Sequence, residues 1–181
     1  MRITGGKYCR RNVVCPPGVI RPAMDRMRES VFAILGDLSG KSFLDLFSGS
    51  GTIAIEAVSR GASHVELVEK DTIKIGTVLK NVAVTEEEMQ NKIHCHFMAV
   101  ELFLKRCNKQ FDYIFCDPPF PYKYHEQLIK TIAERNLLTD RGISMIHRPK
   151  EKTMPDTILQ LNLTDRREYG RSIVDFYSKS H

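Results

Sequence analysis

The sequence predicts one α/β unit, a mostly parallel, seven-stranded sheet with an antiparallel C-terminal edge and a short N-terminal arm. Three observations lead there. Strand-like apolar runs alternate with helical patterns from Ser42 to Ile146, as right-handed βαβ units require. A glycine turn follows the first of these runs, and a rigid Asp117-Pro118-Pro119-Phe120 turn follows the fourth. The last two runs lie too close together for a crossover helix, so they pair as an antiparallel edge.

The elements follow in order. Residues 1–20 hold Gly5-Gly6, Pro16-Pro17-Gly18 and short β-type stretches at Lys7–Cys9 and Asn12–Cys15, which read as a hairpin or irregular arm. A helix is expected from about Asp25 to Leu35, with Met27, Val31, Ile34 and Leu35 on its apolar face and Arg26, Arg28 and Glu29 on its polar one. Strand one is Ser42–Phe47, followed by a helix at Thr52–Ser59 that stops at Gly61. Strand two is Val65–Val68, with a helix over Thr72–Val82 and a polar connection at Thr85–Asn91. Strand three is Ile93–Phe97, then a helix at Val100–Cys107, then strand four at Phe111–Cys116. A helix at Tyr124–Asn136 buries Leu128, Ile129, Ile132 and Ala133, and strand five is Gly142–Ile146. Ile158–Leu163 and Ile173–Tyr177 complete the sheet, joined through Asp165–Gly170. The chain divides into a basic, substrate-side arm and helix (1–41) and the main sheet domain (42–181).

Of the 181 residues, 42% are hydrophobic and 27% charged, a folded composition for one domain. No apolar run approaches a membrane span, and the first ten residues hold no apolar signal core; a cytoplasmic monomer is expected. The five cysteines form no C-x-x-C pair, which points to neither a disulfide framework nor a metal site. Cys95 and Cys116 are expected in the core, and His94 and His96 as half-exposed strand residues.

Charge is unevenly spread. Residues 1–41 carry eight basic side chains against three acidic ones, while the remaining 140 residues carry 19 of each. The whole net charge of +5 therefore sits in the N-terminal fifth, a footprint suited to a phosphate backbone. Arg10, Arg11 and Arg21 are the expected phosphate contacts.

The Asp117-Pro118-Pro119-Phe120 turn sets the chemistry. Two prolines cannot extend a ladder, so the chain turns rigidly at the C-terminal end of a buried strand, where open α/β sheets bind ligands. A carboxylate and a proline carbonyl accept hydrogen bonds from an amino group, and the Phe120 ring can stack on a flat base. At the end of strand one, Asp45 precedes Phe47-Ser48-Gly49-Ser50-Gly51. No Gly-Lys-Ser/Thr follows, and an acid there would repel a pyrophosphate. Glu69 lies 18 residues beyond Gly51, the spacing at which a carboxylate reaches ribose hydroxyls. Two acids around a glycine turn suit a nucleoside bearing a positive charge, as S-adenosylmethionine does.

The sequence resembles the bacterial methyltransferases that place one methyl group on N2 of a guanine in 16S rRNA. Met1-Arg2-Ile3-Thr4-Gly5-Gly6-Lys7, Arg21-Pro22 through Asp25-Arg26-Met27-Arg28-Glu29, Asp45 to Gly51, Glu69-Lys70-Asp71, Asp117 to Phe120 and Tyr169-Gly170 occur in that family's order. The resemblance covers the whole chain and implies a Rossmann-like class I S-adenosylmethionine-dependent methyltransferase fold. It implies that Asp45, Gly49 and Gly51, with Phe47 and Ser48, hold the methionine end of S-adenosylmethionine, Glu69 and Lys70 the ribose side, and Met98-Ala99 the adenine. Asp117 and the Pro118 carbonyl would accept from the guanine amine, and Phe120 would stack. Arg21, Arg26, Arg28 and Glu29 would order the substrate side, with Tyr8 as a stacking ring. The implied partner is 16S rRNA in the small ribosomal subunit or an assembly intermediate. Three positions depart from the family pattern: Pro22-Ala23-Met24-Asp25 lacks the usual hydroxyls, Met98 replaces an acid or amide, and Tyr8 replaces tryptophan.

Other readings fit less of the chain. An amino-methyltransferase acting on adenine N6 in DNA or RNA would share the turn. A nicotinamide oxidoreductase leaves Asp45 and the turn without a role, and a non-catalytic RNA-binding module leaves both acids unexplained.

Overall fold

Pro22 opens the first helix. In the computed structural model, which describes residues 1–14, 22–83 and 92–179, α1 spans Pro22–Leu35, three residues longer at its start than the sequence suggests. A proline is tolerated in the first turn because its missing N–H would have no intrahelical acceptor. Arg21, Cys15 and the Thr85–Asn91 connection lie outside the described residues.

The alternation continues as β1 (Ser42–Leu46), α2 (Thr52–Ser59), β2 (His64–Val68), α3 (Thr72–Ala83) and β3 (Ile93–His96). It then runs through α4 (Val100–Arg106), β4 (Phe111–Cys116), α5 (His125–Glu134) and β5 (Leu138–Pro149). The chain closes with β6 (Thr157–Ile158), β7 (Leu161–Tyr169) and β8 (Ser172–Lys179). The sheet order is β3-β2-β1-β4-β5-β8-β7-β6. The first five strands pair in parallel and the last three antiparallel. Chain direction across the sheet reverses between β1 and β4, the crevice where such sheets hold ligands.

Among the described residues eight strands stand where seven are expected. The run Ile158–Leu163 is broken by a turn at Leu159, whose φ of 52° is left-handed, so β6 and β7 form a hairpin. Asp165–Gly170 is no connection: most of it belongs to β7, paired with β8 from Leu161↔Lys179 to Tyr169↔Ser172. Its charge concealed the strand. One partner of that charge is buried: Asp175 accepts from Arg148 Nε at 2.5 Å and Arg166 Nε at 2.6 Å.

Both faces of the sheet are covered. One face packs α2, Val78 of α3, the arm, and Met27, Val31 and Phe32 of α1; the other packs Phe103 and Leu104 of α4 and Leu128, Ile129 and Ile132 of α5. Phe32 replaces the expected Ile34, which points outward. The arm is irregular, one of the two forms expected of it: Lys7–Cys9 runs through turns, and among the described residues the arm has one bridge, Arg2↔Asn12. It is held instead by Glu56 of α2, fully buried. This carboxylate accepts from the amides of Thr4 and Gly5, the Thr4 hydroxyl, and the guanidinium groups of Arg28 and Arg60. Gly6, at φ 76°, runs so close to α2 that a Cβ would lie 2.0 Å from the Ser59 carbonyl oxygen. Among the described residues no helix is long and apolar enough to cross a membrane.

Candidate functional site

Two loops at the β1/β4 reversal build the site. After β1 the backbone enters the left-handed region at Phe47 (φ 60°), Gly49 (φ 65°) and Gly51 (φ 82°). For a bulky residue such as Phe47 that conformation is strained and is tolerated where surrounding structure imposes it. Its ring meets Tyr122 edge-on at 5.2 Å. Among the described residues, and apart from its own chain neighbours, no atom comes within 4 Å of where a Gly49 Cβ would stand, so its backbone faces open space that a ligand can approach. The Gly49 amide donates to Glu69 Oε1 at 2.7 Å and the Asp71 amide to Oε2 at 2.9 Å. Each carboxylate oxygen keeps a further lone pair for hydroxyls.

Asp45 is almost wholly buried. Ser48 Oγ donates to its Oδ2 at 2.6 Å, while Oδ1 has no hydrogen-bond partner among the described residues. Burial pushes this carboxyl up to about 8, with the negative charges of Asp117 and Glu69 adding to the rise and the Ser48 bond opposing it. A cation beside this carboxyl would favour its ionised form.

The opposite wall is the turn after β4. The Asp117 amide extends the β4–β1 ladder by donating to the Leu46 carbonyl at 3.3 Å, which brings Asp117 beside the glycine loop. Pro118 is buried, whereas Phe120 is 60% exposed, as a ring that stacks on an incoming base must be. The Tyr122 amide closes the turn onto the Pro119 carbonyl at 2.9 Å, and its hydroxyl donates to Glu101 Oε1 at 2.7 Å. Between the walls lies a cleft of about 490 Å³ lined by Asp45, Phe47 to Ser50, Glu69 to Asp71, Val100, Glu101 and Asp117 to Tyr122, with Met1, Met24, Met27 and Arg28 on the arm side. That volume suits a small-molecule ligand. The orphaned Asp45 oxygen, the open Gly49 backbone and the amide-held Glu69 carboxylate fit the cationic, amine-bearing nucleoside expected from the sequence.

The remaining predicted site residues divide. Lys70 lines the cleft, but Met98 and Ala99 do not; Val100 and Glu101, the first residues of α4, form that wall. Arg10, Arg11, Arg26 and Glu29 are exposed and lie outside the cleft. Two of the expected substrate-side residues are buried. Arg28, expected at the substrate surface, is 2% exposed and ion-paired to Glu56; a guanidinium buried this way holds the arm. Tyr8 is 4% exposed, with the Arg11 guanidinium 4.5 Å from its ring centre, so its face does not await a base. Sequence reasoning missed Tyr122, Glu101 and His147, whose Nδ1 lies 2.9 Å from Asp117 Oδ1. Tyr122 follows the turn by two residues and could have been included with it.

A parallel sheet reversing between β1 and β4, with an acid-flanked glycine turn on one side of the crevice and Asp-Pro-Pro-Phe on the other, defines the class I S-adenosylmethionine-dependent methyltransferase fold. Residues 1–178 match the family described as Conserved hypothetical protein 95, and the chain belongs to that family. It is 32% identical to YlbH of Bacillus subtilis, named as a candidate rRNA methyltransferase, over 99% of both chains. It is 28% identical to ribosomal RNA small subunit methyltransferase D of Escherichia coli K12, over 99% of this chain and 90% of that one. The solved structure of yhhF from Escherichia coli, described as a candidate methyltransferase, superposes with a TM-score of 0.88 at 26% identity, over 99% of this chain and 98% of that one.

Proposed function

We propose that the protein transfers a methyl group from S-adenosylmethionine to the exocyclic N2 of a guanine in 16S rRNA, as a cytoplasmic monomer acting during maturation of the small ribosomal subunit. The observation that carries the reading is the turn after β4: Asp117 and the Pro118 carbonyl beside an exposed Phe120, facing the acid-flanked glycine loop. The names borne by the relatives support an rRNA substrate.

Asp45 and the Gly49 backbone would receive the methionine end of the cofactor and Glu69 the ribose, with Val100 and Glu101 along the adenine side. S-adenosylmethionine bound there would supply an electrophilic methyl group on a sulfonium leaving group. The work of this chain is alignment. A guanine N2 lone pair is delocalised into the ring, and Asp117 and the Pro118 carbonyl, by accepting its two hydrogens, turn that lone pair toward the methyl group. Phe120 holds the base plane. The proton lost from N2 leaves through Asp117 or water after the new bond has begun to form. A base paired in a helix cannot enter the cleft, so the target nucleotide is unpaired or flipped out. The exposed Arg10, Arg11 and Arg26 are placed to meet RNA phosphates beyond the cleft.

The test is to incubate small subunits lacking the modification with labelled cofactor and identify the nucleoside by mass spectrometry. N2-methylguanosine is expected. N6-methyladenosine would overturn the base assignment while keeping the amino-methyl chemistry, and no incorporation would overturn the reading.

A further inference from the structure

His147 stands directly behind the reacting end of the cleft. Cys116 pairs with Ile146 in the parallel β4–β5 ladder, so the next residue on each strand, Asp117 and His147, are neighbours. His147 Nδ1 lies 2.9 Å from Asp117 Oδ1, and the two side chains are 13% and 21% exposed. A carboxylate oxygen accepts, so the hydrogen of this bond belongs to Nδ1. The second ring nitrogen, Nε2, is sealed from solvent and has no hydrogen-bond partner among the described residues. The bond to Asp117 therefore selects the tautomer with the hydrogen on Nδ1.

We propose that His147 is the positioning residue for Asp117: its Nδ1–H holds Oδ1, fixes the carboxylate plane and leaves Oδ2 as the acceptor turned toward the target amine. The inference rests on the amino-methyl-transfer reading of the cleft. A carboxylate held at one oxygen cannot swing about its terminal torsion, which is broad and nearly two-fold for aspartate. Alignment of the acceptor counts most in the transition state, where geometry is least forgiving. His147 reaches the substrate only through Asp117.

The test compares His147→Leu, which removes the donor, with His147→Asn, whose amide nitrogen takes the place of Nδ1. Single-turnover methyl transfer at saturating cofactor and RNA should fall about 10–100-fold in His147→Leu, the loss of one hydrogen bond to a charged group. Cofactor and RNA affinities should stay within about twofold, and His147→Asn should recover most of the rate. In an Asp117→Ala background His147→Leu should cost nothing further, because its only route to the substrate is gone. Equal loss in Leu and Asn variants, or full additivity with Asp117→Ala, would overturn the proposal. If His147→Leu fails to fold, nitrogen NMR of the wild-type rings decides: a hydrogen on Nδ1 of His147 is expected, and one on Nε2 sinks the idea. Failure of the guanine assignment is separate, since a methylated adenine amine would show the same dependence on His147.

Discussion

The backbone amide of Gly49 donates to Oε1 of Glu69 across 2.7 Å. The loop after β1 and the acid after β2 are thereby one unit, and anything that loosens Glu69 also frees the glycine backbone facing the cleft. Glu69 is a scaffold as well as a candidate ribose ligand.

Glu69→Ala should therefore weaken S-adenosylmethionine binding by roughly 1.5–3 kcal/mol, or about 10–150-fold, through lost charge-assisted hydrogen bonds. Glu69→Gln keeps one acceptor oxygen and should lose less. Isothermal titration is the measurement; an unchanged affinity in the alanine variant would remove Glu69 from the site.

On the proposed reading Asp45 would link cofactor binding to protons. Burial pushes its folded-state carboxyl up to about 8 from the ordinary aspartate value of 3.8, so between those values the folded state binds more protons than the unfolded one. Stability from this group is fully present below the unfolded value and is lost as pH rises toward 8. Asp45→Asn cannot ionise, and it should gain about 0.5–2 kcal/mol over the wild type by the upper end of that window. A cationic ligand favours the ionised acid, so wild-type binding near pH 7 should release up to about one proton. Melting curves from pH 4 to 9 and calorimetry in buffers of different ionisation enthalpy measure both. Parallel melting curves, or no proton release, would contradict the assignment.

Much of the fold and of the cleft lining is legible in the sequence. Asp45, Gly49, Glu69 and Asp117 were marked by residue type at strand ends, because a buried strand must end at a turn and turns carry recognisable residues. What stayed hidden depends on partners distant in sequence. Arg28 looked like a surface arginine until Glu56 on α2 gave it a buried carboxylate. β7 looked like a loop because Asp165, Arg166, Arg167 and Glu168 are charged, yet Arg166 spans to the buried Asp175 of β8. His147 carried no local signal at all; only the β4–β5 register puts it beside Asp117.

A second buried acid, outside the cleft lining, should contribute to stability against acid. Glu66 on β2 is nearly buried and accepts from His64 Nε2 at 2.8 Å and His96 Nε2 at 2.7 Å, with Lys109 Nζ at 3.5 Å. Burial pushes its carboxyl up, but the two histidine bonds and the lysine charge together outweigh that and leave it below the usual value. A lowered folded-state value gives stability that is present above the unfolded value and lost as pH falls through the folded one. Glu66→Gln should cost about 1–3 kcal/mol at pH 7, with the gap to the wild type closing under acid. Urea titrations at pH 7 and pH 3 test this; an equal gap at both would show that charge plays no part.

Asp117→Asn tests the chemistry most directly. His147 offers a hydrogen at Nδ1, so the asparagine oxygen should take the place of Oδ1 and its NH₂ group should occupy the place of Oδ2. A donor would then oppose the N–H of the target amine where an acceptor is needed. The variant keeps the shape of the turn and the backbone hydrogen bond from residue 117 to the Leu46 carbonyl, so melting temperature and cofactor affinity should change little. Methyl transfer should fall by roughly 3–4 kcal/mol in the barrier, about 10²–10³ in rate. Asp117→Ala, which leaves a gap rather than a misdirected donor, should be no slower than the asparagine variant. The measurement is a single-turnover rate at saturating RNA and cofactor beside a melting curve. Near-normal turnover in Asp117→Asn would end the proposed amine contact, and a collapsed melting temperature would make Asp117 a residue of the turn rather than of the reaction.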